Sequence, residues 1–155
     1  MEGVAFRHLA PGFDPLSGEG ARIAGGRYNP PDSFPALYLC TSLDCVTAEF
    51  ERMGVKHPAG KTALLPRELY EYEFRFGKVL DLTSAVVLKE LSISGEDLTV
   101  DKWDLCQSIG GAAHALGFQA LRAPSATGVG DVLCVFPENL GAGTLMPSLR
   151  GVWKD

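Results

Sequence analysis

Alternating and continuous runs of apolar residues along the chain predict a series of short strands. Residues 70–76 alternate Tyr and Phe with charged residues, which is typical of a strand with one buried face. Five shorter apolar runs, bounded by turn-forming residues, predict the other strands. These runs are residues 4–9, 36–40, 79–82, 118–122 and 132–136.

Helical spacing is found in three further segments. Thr41 and Ser42 precede an apolar-periodic segment over residues 43–53, and the hydroxyls of both residue types are favoured N-caps. Apolar residues also recur at helical spacing over residues 104–116, where Gly117 supplies a stop. Residues 83–91 are expected to form the third helix.

The order of these elements predicts an α+β fold with a mixed, mostly antiparallel sheet. Strands and helices do not alternate regularly, as they would in a doubly wound parallel sheet. Residues 11–26 are rich in glycine and proline and are predicted to form a loop. A length of 155 residues suits one domain, and we expect residues 1–155 to form it.

Composition narrows the classes of function. The chain has 14 Lys and Arg against 19 Asp and Glu, a net charge of −5, which argues against direct nucleic-acid binding. No apolar run approaches the ~20 residues of a membrane-spanning helix. The spacing of the four cysteines matches neither a disulfide framework nor a zinc site. We expect them to be reduced, structural thiols in a cytoplasmic protein.

Common catalytic and nucleotide-binding motifs are absent from the chain. There is no P-loop, no glycine-rich dinucleotide fingerprint after a strand and no G-x-S-x-G nucleophile elbow. Three histidines without metal-ligand spacing give no support to a metal site or a His-based triad.

Two arginines lie in segments where a charged side chain calls for an explanation. Gly25 and Gly26 precede Arg27, allow close backbone approach to a ligand, and would present a planar guanidinium to a phosphate or carboxylate. The alternative is a glycine-rich turn with a solvated arginine. Arg7 lies in an apolar strand, where it either points outward or requires an acidic or anionic partner.

One carboxylate and two hydroxyl groups are the remaining candidates for residues of a functional site. Glu49 borders the apolar face of the helix over residues 43–53, where it is either paired with an arginine or used in a site, whereas Glu51 points away. Ser125, between a strand and a glycine-rich loop, could bind a ligand or cap a turn. Tyr38 could face a site or pack in the core.

The order and spacing of these residues resemble the RES domain family, over about residues 6–136. The resemblance rests on Arg7, Gly-Gly-Arg-Tyr-Asn-Pro at 25–30, Tyr-Leu at 38–39, Ala-Glu at 48–49 and Ala-Pro-Ser-Ala at 123–126. It implies a fold similar to ADP-ribosyltransferases of the diphtheria-toxin type. It also implies the toxin of a bacterial toxin–antitoxin pair, which depletes NAD+ by phosphorolysis or hydrolysis of the nicotinamide–ribose bond.

Two other functions are compatible with the same resemblance. One is an ADP-ribosyltransferase that modifies a protein target, and the other is a non-catalytic interaction module on the same fold. Retention of every residue that carries the resemblance argues against the non-catalytic module.

The resemblance also assigns roles by position. Arg7 and Arg27 correspond to cationic ligands of the NAD+ phosphates or of incoming phosphate, and Glu49 corresponds to the essential acid. Catalysis is thereby assigned to Glu49, Arg27 and Ser125. Substrate binding is assigned to Arg7, Arg27, Tyr28, Tyr38 and Ser125, with Tyr28 standing where many members carry Trp.

Substrates and partners follow from the same resemblance. NAD+ is the expected substrate, with inorganic phosphate as co-substrate if cleavage is phosphorolytic, and no metal or prosthetic group is expected. The expected protein partner is a separate Xre-type antitoxin, and a homodimer is left open. No membrane association is expected.

Overall fold

A seven-stranded sheet forms the centre of the computed structural model, which describes all 155 residues. The spatial order of its strands is β4-β5-β6-β2-β1-β3-β7. In chain order they are β1 (Glu2–Leu9), β2 (Leu37–Cys40), β3 (Arg67–Arg75), β4 (Val79–Asp81), β5 (Ala120–Pro124), β6 (Asp131–Val135) and β7 (Leu145–Trp153). Only β4 and β5 pair in parallel, so the predicted α+β fold with a mostly antiparallel sheet is confirmed.

Four helices surround the sheet. They are α1 (Glu19–Ala24), α2 (Leu43–Lys56), α3 (Ala85–Glu90) and α4 (Asp104–Ala115), with short 3₁₀ turns at Lys61–Leu64, Glu96–Leu98 and Pro137–Asn139. The Ser42 hydroxyl caps α2 by accepting a hydrogen bond from the Cys45 backbone N–H, as the sequence predicts. None of the helices has the length and apolar character that crossing a bilayer requires.

Two elements differ from the sequence prediction. The segment 11–26 contains the short helix α1, which buries no residue and has no side-chain N-cap, so it lacks the buried apolar face by which a helix is usually recognised. Strand β7 was not predicted at all. It lies at the sheet edge beside β3 and contains Pro147 and Gly151, which interrupt the alternation of apolar and polar residues.

The two faces of the sheet pack into separate cores. Leu133 and Val135 of β6 belong to one core, while Cys134 between them belongs to the other, as the strand period of two requires. The second core lies beneath α4. At Gly110 this helix approaches the segment 25–29 so closely that a Cβ would lie 1.7 Å from the Tyr28 carbonyl oxygen. Close packing against α4 therefore fixes the position of the glycine-rich turn.

Candidate functional site

A cavity of about 760 Å³ opens between α2, the turn at residues 25–29 and the strands β1 and β3. Its volume lies in the range typical of small-molecule sites, roughly 300–1,000 Å³. Five cationic side chains line it, and only one carboxylate does. The cationic residues are Arg7, Arg27, Arg52, Lys56 and Arg67, and the carboxylate is Glu49. A protein with a net charge of −5 thus concentrates positive charge at one concave surface.

Glu49 lies on the cavity side of α2. The Ser125 hydroxyl donates a hydrogen bond of 2.7 Å to Glu49 Oε1, and no basic side chain is within ion-pair distance of the carboxylate. Glu51, on the opposite side of the helix, instead pairs with Lys61 at 2.7 Å. Glu49 is therefore not an arginine-paired edge residue, and the two glutamates do not share a site.

A chain of hydrogen bonds holds Ser125 in place behind Glu49. The Val129 backbone N–H bonds to Thr127 Oγ1 at 3.2 Å, and the Thr127 and Ser125 hydroxyls are 2.7 Å apart. Because the single hydroxyl proton of Ser125 is directed at Glu49, Thr127 must be the donor to Ser125. Ser125 is only 2% exposed, so it contacts Glu49 rather than the cavity space.

Arg27 is fixed by backbone carbonyls rather than by an acid. Its Nη1 donates to the carbonyl oxygens of Leu98 at 3.3 Å and Val100 at 2.5 Å, and its guanidinium carbon lies 5.5 Å from the centre of the Trp103 ring. These contacts orient the guanidinium without neutralising it. The positive charge remains available to an anion in the cavity.

The turn before Arg27 is bound to Tyr38. The Tyr38 hydroxyl donates to Asn29 Oδ1 at 2.5 Å and accepts from the Tyr28 backbone N–H at 2.9 Å. At Gly26 a Cβ would lie 2.5 Å from that hydroxyl, and Gly25 has a φ of +78°, so both positions favour glycine. Burial raises the pKa of Tyr38, which keeps the hydroxyl protonated.

The two predicted aromatic residues differ in position. The ring of Tyr38 is partly exposed at the cavity wall, whereas the Tyr28 side chain is completely buried in the core beneath α4. The buried Tyr28 ring therefore does not face the cavity, and the residue contributes only through its backbone in the turn at residues 25–29. Its hydroxyl has no hydrogen-bond partner.

Arg7 on β1 and Arg67 on β3 both line the cavity, although sixty positions separate them in the chain. Arg67 Nε donates to Nδ1 of His8 at 3.1 Å, and Nη1 of Arg7 is buried without a hydrogen-bond partner. Burial, followed by the positive charge of Arg7, lowers the pKa of Arg67. Neither arginine forms an ion pair.

Three cationic residues of the cavity were missed by the sequence analysis. Arg67 precedes the predicted strand at 70–76, and its proximity to β1 is a matter of sheet register. Arg52 lies within the helix predicted over residues 43–53, where it was not singled out, and Lys56 lies beyond the predicted end of that helix. Lys56 lies two helical turns beyond Glu49 and thus on the same face, which a longer periodicity window would have detected.

His8 is expected to make folding stability depend on pH. Burial and the charges of Arg67 and Arg7 lower its pKa to about 4, whereas an unfolded histidine titrates near 6.5. Between these values the unfolded chain binds a proton that the folded chain does not. Acidification from pH 6.5 to 4 should therefore lower the free energy of unfolding, with His8 accounting for about 3 kcal/mol.

Denaturant titrations of wild type and His8→Asn between pH 7 and 4 measure this effect. The asparagine carries no titrating group, so the loss of stability on acidification should be smaller for the variant than for wild type. An equal loss in both proteins would show that His8 is not held neutral by its surroundings.

Candidate metal ligands do not gather anywhere in the chain. The four cysteines are buried and free, and no cluster of three or more His, Cys, Asp or Glu side chains has the arrangement of a metal site. Burial raises the pKa of the Cys134 thiol to about 12. These thiols are therefore part of the core packing.

Comparisons with known proteins agree on one family. The family model described as the RES domain matches residues 4–152. The NAD(+) phosphorylase MbcT of Mycobacterium tuberculosis strain H37Rv is 35% identical over 144 residues, which are 92% of this chain and 77% of that relative. The MbcT of Mycobacterium bovis matches equally well.

A solved structure shares the fold. A chain in the crystal structure of the M. tuberculosis MbcT–MbcA toxin–antitoxin complex superposes with a TM-score of 0.84 at 32% identity. The match covers 99% of this chain and 84% of that one.

Proposed function

Because the chain belongs to the RES domain family, we propose that it is an NAD+ phosphorylase and the toxin of a toxin–antitoxin pair. The observation that carries the proposal is the cavity, where Glu49 is the single carboxylate among five cationic side chains. NAD+ offers two phosphates to such a surface and a ribose that develops positive charge as its glycosidic bond breaks. The relatives named as NAD(+) phosphorylases support the same reaction.

The chemistry assigned to Glu49 is electrostatic. As the bond between the ribose anomeric carbon and the nicotinamide nitrogen breaks, its electron pair neutralises the pyridinium ring, and the ribose gains oxocarbenium character. A fixed carboxylate nearby stabilises that charge. In the proposed scheme Ser125 donates to Glu49 and holds its orientation, so that no reorganisation is needed during the reaction.

Phosphate is the proposed acceptor of the ribosyl group. One of its oxygens forms a bond to the anomeric carbon while neutral nicotinamide leaves, giving ADP-ribose with a phosphate on that carbon. Arg27 and Arg7 are proposed to bind phosphate groups, because both retain their charge without an acidic partner. Tyr38 and the turn containing Tyr28 are proposed to shape the side of the cavity that receives substrate.

Nicotinamide release from NAD+ tests the proposed function. The full-length chain should release nicotinamide in phosphate buffer and much more slowly in a phosphate-free buffer of equal pH and ionic strength. Equal rates in the two buffers would indicate hydrolysis instead. No release in either buffer would overturn the proposed activity.

The proposed partner is a separate antitoxin chain, supported by the toxin–antitoxin complex in which the similar fold was solved. We further propose an Xre-type antitoxin that covers the cavity, and action in the cytoplasm where NAD+ is available; a homodimer stays open. Purified antitoxin should stop nicotinamide release when mixed with this chain, and light scattering measures the number of copies.

A further inference from the structure

Trp103 is the most exposed aromatic residue among those that line the cavity. Its exposed fraction is 39%, whereas the other aromatic side chains there are buried or only partly exposed. It also forms no aromatic pair within the protein, unlike Trp153, which packs against His8 and Phe50. A large flat side chain exposed at a concave surface indicates a ligand that covers it, because indole stacks favourably on other rings.

The main chain of Trp103 is fixed relative to the turn at residues 25–29. The Trp103 carbonyl oxygen accepts a hydrogen bond of 2.8 Å from the backbone N–H of Gln107 in α4. The side-chain amide of the same glutamine donates to the Gly26 carbonyl oxygen at 3.0 Å. The guanidinium carbon of Arg27, the next residue of the turn, lies 5.5 Å from the centre of the Trp103 ring. Trp103 is therefore held beside the cationic group that is proposed to bind phosphate.

We propose that Trp103 binds the substrate by stacking on its adenine ring, and that it thereby favours adenine nucleotides over other phosphate compounds. The inference rests on the proposed function, because it takes NAD+ as the substrate. NAD+ has two flat rings, adenine and nicotinamide, one at each end of its pyrophosphate. A ring joined through ribose to a phosphate at Arg27 lies within reach of the neighbouring indole.

Charge decides which of the two rings fits beside Trp103. Nicotinamide in NAD+ is a pyridinium cation, and the guanidinium of Arg27, which no acidic side chain pairs with, would repel it. Adenine is neutral at pH 7 and avoids this cost. The pyridinium end is instead attracted to Glu49, the single carboxylate of the cavity, which lies on α2. Adenine is therefore the ring assigned to Trp103.

Calorimetric titration of the full-length chain with ADP and with inorganic pyrophosphate tests the assignment without requiring turnover. Both probes carry two linked phosphates, and only ADP carries adenosine. Trp103→Ala should weaken ADP binding about tenfold or more, the usual effect of losing one stacked base. Pyrophosphate binding should stay within about threefold of wild type, because two backbone carbonyls still hold Arg27. Trp103→Phe, which keeps a smaller ring, should lose less affinity for ADP than Trp103→Ala.

Three results of these titrations would overturn the inference. Equal losses of ADP and pyrophosphate in Trp103→Ala would show that the indole only orients Arg27. A larger loss for nicotinamide mononucleotide than for ADP in the same variant would place the other ring of the substrate at Trp103. Absence of ADP binding to wild type would remove the adenine site.

Tryptophan fluorescence supplies a readout that a purely structural role would not change. The chain has two tryptophans, so Trp153→Phe leaves Trp103 as the single emitter. Its emission should be quenched by ADP and much less by pyrophosphate. Trp103→Phe is the matched control, because the remaining Trp153 is not among the residues that line the cavity, and ADP should leave its emission unchanged. Quenching of Trp153, or of neither tryptophan, would contradict stacking at Trp103.

Nicotinamide release from NAD+ is measured on the same variants to separate this inference from the proposed function. Trp103→Ala should raise KM for NAD+ about tenfold and change kcat less, because the stacked ring lies away from the bond that breaks. ADP binding that depends on Trp103, without nicotinamide release by wild type, would refute only the proposed function. Nicotinamide release together with ADP binding that does not depend on Trp103 would refute only the stacking role.

Discussion

Glu49→Gln should lower kcat for NAD+ cleavage about a thousandfold, the upper end of what loss of one preorganised electrostatic contact costs. The substitution keeps the shape of the side chain, and the amide oxygen can still accept the 2.7 Å hydrogen bond from Ser125. What it removes is the negative charge that the proposed mechanism places beside the developing oxocarbenium ion. KM for NAD+ should change much less than kcat.

Glu51→Gln provides the control on the same helix. Glu51 faces away from the cavity and pairs with Lys61 at the surface, where an ion pair contributes little to stability. This variant should cleave NAD+ like wild type, and both variants should melt within about 2 °C of it. If Glu49→Gln retained more than about a tenth of wild-type kcat, the charge of Glu49 would not be the catalytic feature.

Arg27→Gln should lower kcat/KM for NAD+ about a hundredfold. A charge-assisted hydrogen bond contributes roughly 1.5–3 kcal/mol, and this arginine presents a charge that its two backbone acceptors do not neutralise. Glutamine can still donate to the carbonyls of Leu98 or Val100 but brings no charge to the cavity. The kcat/KM of Arg27→Lys should lie between those of wild type and Arg27→Gln, because lysine keeps the charge and loses the planar fork.

The control for Arg27 is Arg22→Gln on α1, an exposed arginine that pairs with Glu19 at the surface. Steady-state kinetics of NAD+ cleavage should show no change beyond about twofold for this variant. A similar loss in Arg22→Gln and Arg27→Gln would mean that general charge, rather than the oriented guanidinium of Arg27, governs substrate binding.

Local patterns account for the parts of the site that the sequence could predict. Helical periodicity predicts that Glu49 borders the apolar face of α2 and that Glu51 points away, and in the structure Glu49 lines the cavity while Glu51 pairs with Lys61. The glycines before Arg27 were predicted to allow the close approach of a ligand, whereas the group that approaches Gly26 in the structure is the Tyr38 hydroxyl. Both inferences need only neighbours along the chain.

Contacts that depend on the sheet register could not be predicted from local sequence patterns. The strand order brings Arg67 beside His8 through the pairing of β1 with β3, and nothing in the residues around 67 indicates that pairing. For Ser125, the sequence indicated a site residue but not the partner of its hydroxyl. Its type and loop position suggested contact with a ligand, whereas its hydroxyl bonds to Glu49 from behind the cavity wall.

Net charge was informative only for the surface as a whole. A value of −5 argued against phosphate-driven nucleic-acid binding, yet the cavity contains five cationic side chains against one carboxylate. The local field at a concave, partly desolvated surface depends on the residues that line it rather than on the sum over the chain. This distribution is compatible with a small phosphorylated substrate within an acidic protein.

Mass spectrometry of the product formed from NAD+ in ¹⁸O-labelled phosphate tests phosphorolysis at this cavity most directly. The predicted product is ADP-ribose bearing one labelled phosphate on the anomeric carbon, with one nicotinamide released for each product molecule. Unphosphorylated ADP-ribose, ADP-ribose attached to protein, or unchanged NAD+ would contradict it.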